Sequence, residues 1–556
     1  MLSNNILILS HSVFEINPNE LNSIESLRAA LIQTLNYINT LYQQNQQLIK
    51  QNQELKDEIN RLKGEKGKPI ILPNTSQTID ISSQKYTKQK KEWKKESKKN
   101  IIKIDNTVRC PIEKNKLPSD AIFKGYDKVI SQGIIFKRNN TEYIVELWYS
   151  PSERKTYRSA LPPSYTGYFD NPLKAFCITM HYGMDATRNK LLSFLNSIGI
   201  EISDGSLQNI LTENGEVFIK EKNDLLKAGL QGPYLQTDST IAREHGQNLK
   251  THVFVSEFFA VFSTQPGKSR LDILSALQGQ PEEGILLQYN QIAIEFLEHY
   301  NISPNYLLEI KQIFKQRTII GIKEFDLMVS ELFPKLKQKT TTYKWIVESL
   351  AFGYYFEQTD YPAPDVLITD DAKEYVQLAL FRMLCWIHDA RYYNKLTPLI
   401  DCHRQELENF KKRYWDFYDL LKQYKQNPSV EFKSIIEHKF DTIFTPNTSY
   451  FDLNKEIQRT LSNKKFLLTV LDFPFIPLHN NASELAVRRK VRKRDICLHT
   501  MTDLGTKLQD AFMSIIHTSF LLGLDAYQYI LNKINNCPEF YLPDLVIDKI
   551  KSKQMH

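Results

Sequence analysis

The six cysteines, Cys110, Cys177, Cys385, Cys402, Cys497 and Cys537, never form a CxxC pair. Spacing therefore supports neither a disulfide framework nor a four-cysteine zinc site, and a reducing cytoplasm is the expected setting. No run of about 18 apolar residues occurs, so a membrane-spanning helix is not expected. The opening MLSNNILILSHSVFEINPNE lacks a basic region followed by a long apolar stretch, which predicts an unexported chain. A strong excess of one charge is missing too: 71 Lys and Arg against 64 Asp and Glu leave +7 over 556 residues. The identity of a charged partner must then come from where the cations cluster, not from their total. The length predicts several domains.

From Ile24 a heptad runs with Ile24, Leu31, Ile38, Asn45, Asn52 and Ile59 at a, and Leu27, Thr34, Leu41, Leu48, Leu55 and Leu62 at d. Six heptads in one frame predict a coiled coil, and Asn at two a positions favours a parallel pair of identical helices, a homodimer through residues 24–62. Nine lysines between Lys85 and Lys103, with few apolar residues among them, predict a linker able to touch phosphates. Residues 106–172 alternate like short strands, as in IIFKRNNTEYIVELWYS with a turn signal at Asn139 and Asn140, and predict a small β module. Residues 173–231 read as helices, broken at Gly199 and restarted with Ser203 as N-cap, a pattern that suits a DNA-binding helix-turn-helix.

After Gly232 the texture changes. PYLQTDST, KTHVFVSEFF and AVFST read as adjacent strands, and PDVLITDD as a buried strand ending in acids. Helical spacing fills about 270–357 and 373–464, and helices close the chain. Asp238 and Asp370 stand at the polar ends of apolar strands, and Glu484 stands one turn into a helix begun by Asn480 and Asn481. A carboxylate at such a strand end gains nothing from packing and asks for a cation. Oxygen-only ligands suit Mg²⁺ or Mn²⁺, two of which serve in-line phosphoryl transfer. Singly, each acid has an ordinary alternative: a turn former at Asp238 or Asp370, and an ion pair with Arg488 for Glu484.

The strings DSTIAR from Asp238, TDDAKEY around Asp370 and Asp371, CWIHDARYYNKL from Cys385 and HNNASELAVR from His479 occur in one order. They resemble the ordered motifs of DDE transposases of the insertion sequence 66 family, over about residues 109–531. With the coiled coil (21–64) and the Lys-rich linker (65–105) read from the residues themselves, the resemblance implies a multidomain α+β protein of bacterial cytoplasm, in which a β module (106–172) and a helical, DNA-binding region (173–231) follow. An RNase H-like α/β catalytic core with helical insertions would follow over 232–500, then C-terminal helices over 501–556. It implies Asp238, Asp370 and Glu484 as both catalytic and metal-binding, holding two Mg²⁺ or Mn²⁺ ions, with Asp371 the rival for the second position. Water would attack a phosphodiester at each element end, and the freed 3′-OH would attack target DNA.

Paired zinc ligands are common before the core in that family, yet CPIEKNKLP places Glu113 where a second cysteine would fall, which argues against zinc. Leu485 stands where an arginine commonly follows the glutamate. Arg488, Arg489, Arg492 and Lys493, with His388 and Arg391, are the expected DNA contacts, and Asn480 and Asn481 the expected caps of the glutamate helix. The expected partners are double-stranded transposon-end and target DNA, a second copy, and small accessory proteins encoded alongside. Two other functions fit the same residues: a metal-dependent nuclease without strand transfer, and a transposase-derived DNA-binding regulator without catalysis.

Overall fold

The computed structural model describes residues 23–62, 104–112, 120–122, 124–127, 129–133, 138–315, 317–333, 336–338, 340–537 and 539–554. The lysine cluster from Lys85 to Lys103 and Glu113 lie outside them. The heptad segment forms one helix, α1 (Ile24–Leu62). Its seam residues Ile24, Leu27, Leu31, Ile38, Leu41, Leu48 and Leu55 are exposed, while Asn39 on another face is buried. No helix among the described residues is long and apolar enough to cross a membrane.

One antiparallel hairpin, β1 (Leu147–Ser150) with β2 (Lys155–Arg158), is the strand content of the described part of 106–172. It turns at residues 151–154; residues 134–137, which lead into the turn signal at Asn139 and Asn140, lie outside the described residues. Pro151 cannot donate to a ladder and ends β1, and Arg154 takes φ 49° to close the turn. Four α-helices follow, α2 (Asn171–Ile178), α3 (Arg188–Ser197), α4 (Asp204–Thr212) and α5 (Gly215–Leu230), with a π-helical turn over Thr179–Gly183 continuing α2. Ser203 caps α4 by accepting the Ser206 N–H at 3.1 Å, and Gly199 breaks the chain at φ 84°, both as the sequence predicts.

The centre is a five-stranded sheet. β3 (Leu235–Glu244), β4 (Gln247–Val255) and β5 (Ala260–Gln265) form a meander. A largely helical insertion then runs through α6 (Arg270–Leu277), α7 (Gln291–His299), α8 (Pro304–Ile313), α9 (Ile322–Leu332) and α10 (Thr341–Glu357). Contrary to expectation it contains a short strand pair, β6 (Leu286–Gln288) with β7 (Ile319–Gly321). The chain returns to the sheet as β8 (Val366–Thr369) and β9 (Phe381–Leu384), giving the order β5-β4-β3-β8-β9. β8 runs parallel to β3 and to β9, so β4 alone is antiparallel to the rest. Residues 381–384 were expected to be helical. Four residues leading directly into a helix are too few to carry a period of two.

The second insertion comprises α11 (Trp386–Asn394), α12 (Asp401–Gln426), α13 (Val430–Ile443), α14 (Phe451–Ser462) and the short α15 (Lys464–Leu467). It has its own aromatic core around Trp386, Phe410, Tyr414, Phe417, Phe440 and Phe444. The chain then gives α16 (Asn481–Cys497), α17 (Asp503–Leu521), α18 (Ala526–Ile534) and α19 (Leu542–Gln554).

Edge strand β5 is covered by α17. Asp510, Ser514 and Thr518 accept the N–H groups of Thr264, Phe262 and Ala260 at 2.6, 2.9 and 3.2 Å. The match is geometric: four helical residues rise about 6 Å and two strand residues about 6.6 Å, so every fourth side chain meets every second amide. Capping an edge in this way removes a template for unwanted pairing. Asp510 also pairs with buried Lys490 of α16 at 2.8 Å, joining the two helices. Asp510→Ala would leave a buried ammonium and an amide unpaired, with an expected cost of about 3–5 kcal/mol in denaturant unfolding. Asp510→Asn combined with Lys490→Met, which removes the buried ammonium and keeps an acceptor for the Thr264 N–H, should recover most of that loss.

Candidate active site

The parallel pairing of Leu235 with Leu367 and of Gln236 with Ile368 sets the site. Continued for two residues, this register brings Asp370, which follows the end of β8, level with Asp238 of β3, about 5 Å away at the backbone. Asp238 accepts the Ser239 N–H at 2.7 Å, and Asp370 folds into an Asx turn by accepting the Ala372 N–H at 3.1 Å. Arg382 of β9 fixes that turn, donating to the carbonyls of Asp370 at 2.8 Å and Ala372 at 3.0 Å and to Thr369 Oγ1 at 3.1 Å.

Helix α16 lies across β3 and β4, and its Ala482, Ala486 and Val487 share a cluster with Val253 and Val255 of β4 and Ala260 and Phe262 of β5. Small residues on that face let the helix approach closely and put Glu484 beside the two aspartates. Both Glu484 oxygens accept from Arg391 Nη2, at 3.0 and 3.2 Å, and His388 Nε2 lies 3.5 Å from Oε1. His388 and Arg391 touch each other at 2.8 Å. They occupy one face of α11, whose other face is structural: Trp386 donates to the Leu467 carbonyl at 3.0 Å, and buried Asp389 accepts from Tyr414, Thr460 and Arg459.

Asp371 points elsewhere. Its carboxylate meets Arg459 of α14 at 3.7 Å and Asn463 at 3.3 Å. Arg459 also holds Asp389 at 2.9 Å and Glu456 at 2.8 Å, and its guanidinium covers the Tyr392 ring at 3.7 Å. Arg382 and Arg459 were not foreseen. An arginine on a four-residue strand and one on an amphipathic helix carry no local signal, because their partners are distant in the chain.

Two expectations need correction. Asn480 sits at the N-cap position of α16, but neither it nor Asn481 caps the helix through a side chain. The Asn480 amide reaches the Thr237 carbonyl at 2.8 Å, and its N–H meets Cys385 Sγ at 3.2 Å. It thereby joins the starts of α16 and α11 to the residue before Asp238. Lys493 is fully buried, donating to the His181 carbonyl beside the Tyr182 ring, so it is closed to DNA. Arg488, Arg489 and Arg492 are exposed, with Arg489 stacked over Phe520 at 5.6 Å.

Burial pushes the Asp238 carboxyl up to about 6, and the charges of Asp370 and Glu484 push the same way. Burial also lowers the basicity of His388, reinforced by Arg391. Among the described residues no three His, Cys, Asp or Glu side chains already close around one point. A cluster of oxygen donors that repel one another, one of them held off by an arginine, nevertheless fits a hard divalent cation better than it fits zinc. The raised carboxyl has a defined consequence in metal-free protein. Folded Asp238 keeps its proton to about pH 6, whereas the unfolded chain releases it near 3.9. This contribution favours the fold at low pH and is lost as pH rises through 6. Calorimetry in chelator from pH 4.5 to 7.5 should show Asp238→Asn gaining stability relative to wild type with rising pH.

Residues 355–508 match the family model described as "Transposase IS66 family", which places this segment among transposase domains. The chain thus carries a transposase domain of the IS66 family. The segment includes Asp370 and Glu484 and begins after Asp238. Over 318 residues the chain is also 29% identical to "Uncharacterized protein y4jO" of Sinorhizobium fredii (strain NBRC 101917 / NGR234), covering 56% of this chain and 94% of that protein.

Proposed function

We propose that this chain is a DDE-type DNA transposase with an RNase H-like catalytic core, and that Asp238, Asp370 and Glu484 are its metal-binding acids. The observation that carries the proposal is the β3–β8 register, which, continued past the end of β8, sets Asp370 level with Asp238, the charges of Asp370 and helix-borne Glu484 both acting on Asp238. The strand order with a single antiparallel member supports the core assignment. The ion pair of Asp371 with Arg459 supports Asp370 as the second ligand.

A pair of Mg²⁺ or Mn²⁺ ions held by the three acids would supply activation of the attacking oxygen and charge neutralisation at the leaving one. The other side chains position. Arg391 and His388 orient Glu484 and stand where a strand entering the site would present its phosphates. Arg488, Arg489 and Arg492 offer cations along the exposed face of the same helix for the flanking backbone. In the first step water displaces the 3′ oxygen at a transposon end, leaving a 5′-phosphate and a free 3′-OH. In the second, that 3′-OH attacks a target phosphodiester in line and a new strand end leaves. Transposon-end and target DNA are the partners, and α1 pairs two copies so that both ends are held together. Small accessory proteins encoded alongside and a cytoplasmic site of action belong to the same proposal.

The test is an end-cleavage and strand-transfer assay on labelled oligonucleotides with Mg²⁺ or Mn²⁺. Asp238→Asn, Asp370→Asn and Glu484→Gln should each fall to background while retaining DNA binding, Arg391→Ala should lose roughly 10–100-fold, and Asp371→Asn should stay active. Cleavage without joining would identify a nuclease, and wild-type binding without cleavage a regulator. Binding measured against salt should show a log–log slope reduced by about 0.9 for each of Arg488→Ala and Arg492→Ala. Lys493→Ala should instead lower the melting temperature.

A further inference from the structure

Helix α1 does not hang free of the body. Asn36 clamps the backbone at the head of α14: its amide donates to the Ser449 carbonyl at 2.9 Å and accepts the Phe451 N–H at 3.0 Å. One turn on, the Asn39 amide donates to Asp452 at 3.0 Å and to Tyr450 Oη at 3.3 Å, and Gln43 reaches Asp452 at 3.5 Å. The receiving ledge is itself braced. Glu406 of α12 accepts from the Ser449 N–H and hydroxyl at 3.0 Å, and the Tyr450 ring stacks on His403 at 4.8 Å.

In the heptad frame Asn36 and Gln43 fall at f and Asn39 at b, positions that face outward in a two-stranded coil. The exposed a and d residues Leu31, Ile38, Leu41 and Leu48 lie on another face, and Asn45 and Asn52, each at a, are exposed with them. The contact with the body and the contact with a second copy thus use different faces of one helix. Neither has to break for the other to form. The ledge opens α14, and Arg459 near the other end of α14 holds Asp371 and Asp389 beside the candidate acids.

We infer that the paired helices act as a splint and not as a tether: each α1 lies against a catalytic body at residues 449–452 while its seam takes the same seam of a second copy. The orientation of the two acid sites is then fixed through the ledge. This inference rests on the proposed dimer, and it adds that the outer face of α1 is an interface in its own right. A tether would raise the local concentration of the second body without orienting it.

The test uses full-length protein carrying Asn39→Asp, which sets a carboxylate against Asp452 at an outward position of the coil. Light scattering should still give a dimer. Hydrogen exchange at the Phe451 amide should accelerate by about tenfold or more as the clamp opens. Solution scattering should show an expanded particle, and complexes holding two transposon ends should fall by about tenfold while cleavage of single ends persists. Adding Asp452→Asn should restore both exchange and pairing. Unchanged exchange, or faster exchange with undiminished end pairing, overturns the splint. A monomeric wild type would instead sink the dimer on which it rests.

Discussion

Three carboxylates gathered where β8 ends beside the middle of β3 repel one another, and much of the surrounding structure answers that repulsion. Asp238 and Asp370 are forced together by strand register, not by attraction. Burial and the neighbouring acids raise the Asp238 carboxyl, so the cluster carries a standing demand for positive charge. Arg391 meets part of it at Glu484, Arg382 stiffens the Asp370 turn from behind, and Arg459 draws Asp371 aside. No one of these arginines neutralises the pair of aspartates, and that unmet charge is what a divalent cation fits.

The insertions take on meaning from the same constraint. The helical unit after β9 has an aromatic core of its own and is joined to the acid site chiefly by α11 and α14. Through α11 it presents His388 and Arg391, and through Arg459 it separates two adjacent aspartates that are chemically identical. Asn480 completes the joint at the start of the Glu484 helix: its side-chain amide reaches the strand of Asp238, and its backbone N–H meets the cysteine that precedes Trp386. A buried polar residue that joins three elements specifies their relative placement better than apolar packing does.

The strands β3, β4, β5 and β8 were legible as runs bounded by polar breaks; Asp370 follows the end of β8 as expected, whereas Asp238, expected at a strand end, lies within β3, which continues to Glu244 because its later residues pair with β4. Strand β9 was not legible, because Phe381–Leu384 merges with the helix begun at Trp386. The fate of the cations on α16 could not be read either. A helix with Arg or Lys on nearly every face gives no apolar stripe to orient it, and only the docking of α17 and the His181 carbonyl decides that Lys490 and Lys493 turn inward. The caps expected at Asn480 and Asn481 failed for a related reason. A side chain that suits a local cap was claimed by a strand 243 positions away. The order of the motifs, more than any spacing, singled out the triad.

The central claim is that Asp238, Asp370 and Glu484 bind divalent cations as one unit. Titration of Mn²⁺ into the chain with cleaved transposon-end DNA, followed by paramagnetic resonance or calorimetry, tests it most directly. Two ions per chain are expected for wild type and for Asp371→Asn, and loss of both in Asp238→Asn. Two ions retained by Asp238→Asn, or lost in Asp371→Asn, would contradict it.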